Sequence, residues 1–286
     1  MDLQDKMITL LISCPDQPGI VASVSQFIFE HHGNIFQSDQ HSTSLHDGTF
    51  FMRVSFTEDS FTLSEADLVD TFRPIANALH MNWSVHYSRH RKRVGILVSK
   101  LDHCLTDLLW RWKSGELALG IPFIISNHHD LEPLARMYDI PYHYFPVRKE
   151  QRKEDQMRLL DFLQGKVDFL VLARYMQIVE PFIVREYAHR IINIHHSFLP
   201  AFIGANPYEK AFERGVKLIG ATAHYVTDNL DEGPIISQDV IQCNHRDTIE
   251  DLIRKGRDVE RRVLAEAVRL HVEDRVLVYN NKTIVF

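Results

Sequence analysis

The sequence predicts an α/β protein built from two units, a small one over residues 1–88 and a larger one over residues 94–286. Three observations carry this reading. The first 88 residues run strand, helix, strand, strand, helix, strand, the ferredoxin-like order. From Val94 onward apolar strand candidates alternate with helical stretches, the rhythm of a doubly wound, Rossmann-like sheet covered by helices on both faces. The length of 286 residues also exceeds the ~100–150-residue mode of a single domain.

Met7 to Ser13 is an apolar strand, and Pro18 to His31 carries the spacing of an amphipathic helix. Ile35 to Ser44 and Thr49 to Thr57 are strands around Asp47-Gly48, a pair that tolerates the positive φ of hairpin turns. Ser64 caps a helix that runs to Leu79, and Met81 to Tyr87 supplies the last strand of the small unit. Ser88-Arg89-His90-Arg91-Lys92-Arg93 is a basic run between two apolar strands. A solvated linker over 89–93 accounts for it more economically than a nucleic-acid patch.

Beyond it, Val94 to Ser99, Phe123 to Asn127 and Val167 to Ala173 are strands separated by helical stretches. Thr248 to Val272 is a long helix capped by Asp247 or Thr248. Leu252, Ile253, Val259, Val263, Leu264, Ala267 and Leu270 fall near helical spacing and are expected mostly in the core. Arg275 to Tyr279 and Lys282 to Phe286 form a closing pair that turns at Asn280-Asn281.

Composition narrows the function. A hydrophobic fraction of 45% with 24% charged residues is that of a globular protein, and a formal charge of −6 argues against an electrostatic nucleic-acid binder. No apolar run is long enough to span a bilayer, and Met1 to Asp5 lack the features of a secretory leader, so a cytoplasmic location without membrane contact is expected. Cys14, Cys104 and Cys243 are odd in number and widely spaced, and read as reduced thiols. Seventeen histidines invite a metal hypothesis, but none stands in a His-Glu-x-x-His or Cys-x-x-Cys arrangement, and no metal is expected.

The densest chemistry lies in Asn193-Ile194-His195-His196-Ser197-Phe198-Leu199-Pro200 and in Asp228-Asn229-Leu230-Asp231-Glu232-Gly233-Pro234. On an extended strand Asn193 and His195 point to the same side, and Ile192, Ile194 and His196 to the other. Taken singly, such a His is most often structural, and such an Asp is most often a turn former. Together they offer an amide donor, an imidazole and a carboxylate, which is a catalytic set.

Asn193-x-His195, Ser197-x-Leu199-Pro200 and Asp231-x-Gly233-Pro234 resemble the signature of the folate-dependent formyltransferase family over residues 93 to 286. Ala221 to Thr227 resembles the family's penultimate strand, and Leu172 to Ile178 the segment lining its pterin pocket. The resemblance implies Asn193, His195 and Asp231 as catalytic residues and Met176, Ile178, Val179 and Asp228 as substrate-binding residues. It also implies 10-formyltetrahydrofolate as substrate, with no cofactor beyond that folate. Asn193 would donate to the oxyanion, with His195 assisting, while Asp231 would accept the attacking water's proton and orient His195. Which of His195 and Asp231 moves the proton stays open.

The chain departs from the family's amine-transferring members at Ser99-Lys100-Leu101-Asp102-His103-Cys104-Leu105-Thr106. The relatives' turn is rich in glycine and cradles a phosphate, whereas this one has no glycine and an added carboxylate. Water is then the expected acceptor, which implies hydrolysis to formate and tetrahydrofolate, in support of purine synthesis and one-carbon balance. Asp16-Gln17-Pro18-Gly19-Ile20, at the first strand-to-helix turn, resembles an ACT domain. That resemblance implies an amino-acid effector such as glycine or methionine, and pairing into a homo-oligomer through this unit. A formyltransferase acting on another amine, such as an amino sugar nucleotide, and a non-catalytic folate or amino-acid sensor remain the alternatives.

Overall fold

The computed structural model describes residues 6–44, 47–200 and 207–286, so Met1 to Asp5, read above for a leader, lie outside the described residues. The chain divides into two compact units. One comprises Met1–Arg91 with Asp274–Leu277 and Ile284–Phe286, and the other Lys92–Glu273 with Val278–Thr283.

The first unit contains β1 (Met7–Pro15), α1 (Ile20–Glu30), β2 (Ile35–Ser42), β3 (Thr49–Thr57), α2 (Glu65–Ala78) and β4 (Asn82–Tyr87). Its antiparallel sheet has the order β2-β3-β1-β4. Alternate residues of a strand share a face, so Ile8, Leu10 and Ile12 of β1 join Met52, Val54 and Phe56 of β3 against Val24, Phe27 and Ile28 of α1 and Leu68 and Phe72 of α2. The opposite face is more polar. Thr9 and Ser55 share a 2.8 Å hydrogen bond, and Arg53 donates from Nε to the Asp274 carbonyl at 3.0 Å and from Nη1 to Gln37 Oε1 at 3.1 Å.

Sequence spacing predicts the first helix from Pro18, but α1 begins at Ile20. Gly19 sits at φ 95 as its N-cap, a left-handed conformation that a right-handed helix cannot absorb. Ser64 caps α2, its side chain accepting from the Asp67 N–H at 3.2 Å.

The second unit runs β5 (Arg93–Val98), α3 (His103–Lys113), β6 (Gly120–Ser126), α4 (Glu132–Met137), β7 (Tyr142–Tyr144), α5 (Arg152–Leu163), β8 (Phe169–Leu172), α6 (Pro181–Glu186), β9 (Ile191–His195), α7 (Pro207–Arg214), β10 (Leu218–Tyr225), β11 (Ile235–Gln242) and α8 (Ile249–Val272). The sheet order is β11-β10-β9-β8-β5-β6-β7. The strands β5 to β9 are parallel, while β10 is antiparallel to both β9 and β11. The apolar rhythm predicts only the parallel part, because β10 is buried on both faces and so reads as the same continuous run as its parallel neighbours.

Chain order reverses between β5 and its two neighbours, β6 on one side and β8 on the other, which opens a crevice beyond the strand C-termini. Thr248 caps α8 with a reciprocal box to Asp251, and Val259, Val263, Leu264 and Ala267 are buried as their spacing predicts. A last hairpin, β12 (Val276–Tyr279) and β13 (Lys282–Val285), is divided between the two units. Among the described residues no helix is long and apolar enough to cross a membrane.

Candidate active site

A cleft of about 670 Å³ opens beyond β5, β8 and β9 and is lined by Asn193, His195, His224 and Asp231. Asn193 and His195 come from one strand by its period of two. Ile194 and His196, expected on the far side, also reach the cleft where β9 ends. The antiparallel register pairs Asn193 with His224, and residues directly opposite each other share a face. Asn193 Nδ2 therefore lies 3.2 Å from His224 Nε2.

Asp231 is delivered by the loop after β10, where it adopts φ 57, a conformation that Asp tolerates better than most residues. Gly233 explains the spacing of that motif. A Cβ there would meet the Tyr225 carbonyl oxygen at 1.7 Å, so only glycine lets the loop fold back until Pro234 O accepts from Tyr225 N at 2.9 Å. Asp231 Oδ1 then stands 3.2 Å from His195 Nδ1 and 3.6 Å from His224 Nε2.

The hydrogen bonds set the tautomers. His224 Nδ1 faces the Tyr225 carbonyl at 2.9 Å and must donate to it, while its Nε2 turns toward both the Asn193 amide at 3.2 Å and Asp231 Oδ1 at 3.6 Å. His195 donates from Nδ1 to Asp231, while its buried Nε2 has no hydrogen-bond partner among the described residues. Burial raises the Asp231 carboxyl. The hydrogen bonds and charge of His195 and His224 outweigh it and hold the group well below the usual carboxylate range.

Met176, Ile178, Val179 and Asp228 all line the same cleft. Met176 and Ile178 are 59% and 55% exposed, and apolar side chains left open inside a cleft suit a flat apolar ligand better than a core. Their loop is clamped from behind. Ser99 Oγ accepts from Met176 N at 3.0 Å and donates to Asn127 Oδ1 at 2.7 Å. Gln156 donates to the Ile178 carbonyl and accepts from Glu180 N, each at 2.7 Å.

A second polar cluster lines the cleft and is absent from the sequence reading. Glu260 of α8, 1% exposed, accepts from Tyr208 Oη at 2.7 Å and meets His103 Nε2 at 2.8 Å, with Arg174 Nε at 3.5 Å. Burial raises its carboxyl, but His103, Arg174 and Tyr208 together hold it below its ordinary value. Leu101 and His103 thus project into the cleft from the turn that lacks glycine.

His103, Cys104 and Glu260 place potential ligand atoms within 4.8 Å of one another. Burial, then the Glu260 charge, push the Cys104 thiol well up. Ile253, expected with the core, lines the cleft beside Arg257 on the same helix. A signal for Glu260 did exist, since a carboxylate stands between Val259 and Val263 on the buried face of α8. His224 lies within a strand already singled out, but only the pairing register assigns it to Asn193.

In the first unit, Asp16 accepts from Ser42 Oγ at 2.5 Å, Gln17 donates to the Leu79 carbonyl at 3.4 Å, and Ile20 is buried. With Pro18 and Gly19 these residues form the β1–α1 turn.

Comparison with known proteins adds two domains and close full-length relatives. The formyl transferase family matches residues 92–268 and the ACT domain family residues 8–67. A formyltetrahydrofolate deformylase of Synechocystis sp. is 53% identical over 99% of this chain and 100% of its own, and one of Bacillus subtilis is 52% identical over 97% and 93%. The crystal structure of a formyltetrahydrofolate deformylase from Pseudomonas syringae pv. tomato superposes with a TM-score of 0.96 at 48% identity, covering 98% of this chain and 94% of that one.

Proposed function

The chain belongs to the formyltetrahydrofolate deformylase family, and on that footing we propose that Asn193, His195 and Asp231 carry the hydrolysis of 10-formyltetrahydrofolate to formate and tetrahydrofolate. The observation that supports these roles is the unpartnered His195 Nε2, buried in the cleft while Nδ1 is bound to Asp231. Because Asp231 is held strongly ionised, it is a weak base. His195 Nε2 therefore takes the proton of the attacking water, and Asp231 orients the ring and stabilises the imidazolium that forms.

The water oxygen bonds to the formyl carbon, and the carbonyl electrons move onto oxygen to give a tetrahedral oxyanion. Asn193 donates to that oxyanion from the amide beside His224. The bond from carbon to N10 then breaks, its electron pair returning to nitrogen together with the proton from His195. The product carries the second water proton as formic acid and loses it to solvent, leaving as formate with a full negative charge.

Met176, Ile178 and Val179 form the apolar wall for the pterin in this reading, and Asp228 a polar edge. No resident cofactor is required beyond the folate substrate. The activity supplies formate for purine synthesis and returns tetrahydrofolate to the one-carbon pool. The β1–α1 turn at Asp16, Gln17, Pro18, Gly19 and Ile20 takes an amino-acid effector, glycine or methionine being the first to test by calorimetry. The exposed edge strand β2, with Phe36 open to solvent, pairs with a second copy in the cytoplasm. A single species of monomer mass in sedimentation would sink that pairing.

The deciding experiment measures formate release from 10-formyltetrahydrofolate with no amine added. Release by the native chain and a loss of about 10³-fold in Asp231→Asn are expected. Unchanged release in the variant removes Asp231 from the chemistry, and folate binding without release points to a transferase or a sensor.

A further inference from the structure

Arg174 is a buried guanidinium in the cleft that the hydrolysis above does not use. It follows β8 with φ 62, a left-handed backbone that disfavours any residue with a Cβ and is tolerated where the surroundings demand it. Its side chain is 10% exposed, and its nearest described acid, Glu260, lies 3.5 Å from Nε. That Nε is buried without a hydrogen bond, as is Nδ1 of His103. Glu260 is already engaged by Tyr208 at 2.7 Å and His103 at 2.8 Å.

The surroundings are built for this arrangement. Gly256, one helical turn before Glu260, makes room for Tyr208, since a Cβ there would lie 2.0 Å from the Tyr208 hydroxyl. The cluster also adjoins the reacting centre. The His195 and His196 rings are 5.2 Å apart, and the His196 and Tyr208 rings 6.1 Å apart. Arg174, His103, Tyr208 and Glu260 all line the cleft that holds His195.

We propose that Arg174 and His103 form a subsite for a small carboxylate, and that its ligand is the product formate. This rests on the hydrolytic reading of the cleft. The formyl group of the substrate is neutral and gains little from a guanidinium, whereas formate is a planar anion that matches the guanidinium fork. Formate is released beside the Asp231 carboxylate, which repels it, so the Arg174 guanidinium in the same cleft draws it off the reacting carbon. The Glu260 charge holds the guanidinium in the cleft without a hydrogen bond at Nε, which leaves the N–H groups of the fork to the ligand.

The test is binding of ¹³C-formate to the full chain without folate, followed by line broadening in NMR, beside formate inhibition of the hydrolysis. Binding by the native chain is expected, weakened about tenfold or more in Arg174→Met. Arg174→Lys keeps the buried charge opposite Glu260 but not the fork, and should weaken formate severalfold; it serves where the Met variant does not fold. Formate release by the native chain without measurable formate binding, or binding unchanged in both variants, overturns the subsite. Absence of release from 10-formyltetrahydrofolate overturns instead the hydrolytic reading from which the ligand was chosen.

Discussion

Asp231 and Glu260 each meet an imidazole in one cleft, at 3.2 Å from His195 Nδ1 and 2.8 Å from His103 Nε2, yet they are built for different ends. The Asp231 side chain is 12% exposed and sits on a loop, with two histidines sharing a single oxygen. Glu260 is 1% exposed in the middle of a 24-residue helix, with a phenol, an imidazole and a guanidinium around it. The first pair leaves a ring nitrogen on the strand that also carries the amide donor. The second is a buried cluster gathered around one carboxylate, with Arg174 Nε and His103 Nδ1 left without hydrogen-bond partners among the described residues. A carboxylate beside a histidine is therefore no sign of proton transfer by itself; what matters is whether an unengaged atom faces the place where charge develops.

The contrast is sharpest in substitutions of each pair. His195→Asn should lower kcat by about 10³, or about 4 kcal/mol of transition-state stabilisation, with the melting temperature little changed. Glu260→Gln should instead cost about 3 kcal/mol of stability in urea unfolding, because it leaves the Arg174 guanidinium as a buried charge without its counterion. Equal stability losses in the two variants would erase the distinction drawn here.

The boundary between the two pairs is His196, whose imidazole burial, then Arg174, push down to about 4 from an ordinary value of 6.5. Its folded value is depressed, so as pH falls below 6.5 the unfolded chain binds the proton first. Stability should drop by about 2 kcal/mol between pH 6.5 and 4, and His196→Asn should flatten that slope. The Asp231 contribution has a different window. It is present above the unfolded carboxylate value of about 3.9 and is lost only as pH falls further.

The smallest effect belongs to the loop proposed as the pterin wall. Gln156→Ala removes two hydrogen bonds to the Ile178 to Glu180 segment, and should raise KM about fivefold, about 1 kcal/mol, with kcat nearly kept. A matching fall in kcat would extend the role of that loop from binding to the reacting centre.

Much of this was legible before any coordinates. The small unit's strand and helix order, the Ser64 cap, a cap at Asp247 or Thr248, and the shared face of Asn193 and His195 are local properties, set by spacings of two and of 3.6 residues. The exposed Met176 and Ile178 were reached through family resemblance, because apolar residues after a strand carry no local mark of facing a ligand. The antiparallel β10, the partnership of His224 with Asn193 and the whole Glu260 cluster were not legible.

By itself, then, the sequence determined the two-unit α/β order, the shared face of Asn193 and His195, and the Asp231-x-Gly233-Pro234 motif. Tertiary structure decided which polar residues face one another. His103 and Glu260 are separated by 157 positions, and Asn193 and His224 by 31. No periodicity spans such distances. The pairing of strands and the docking of α8 bring these groups together, and in a buried cleft an unpaired charge costs more than the chain can readily supply, so the fold selects partners that the linear pattern does not display.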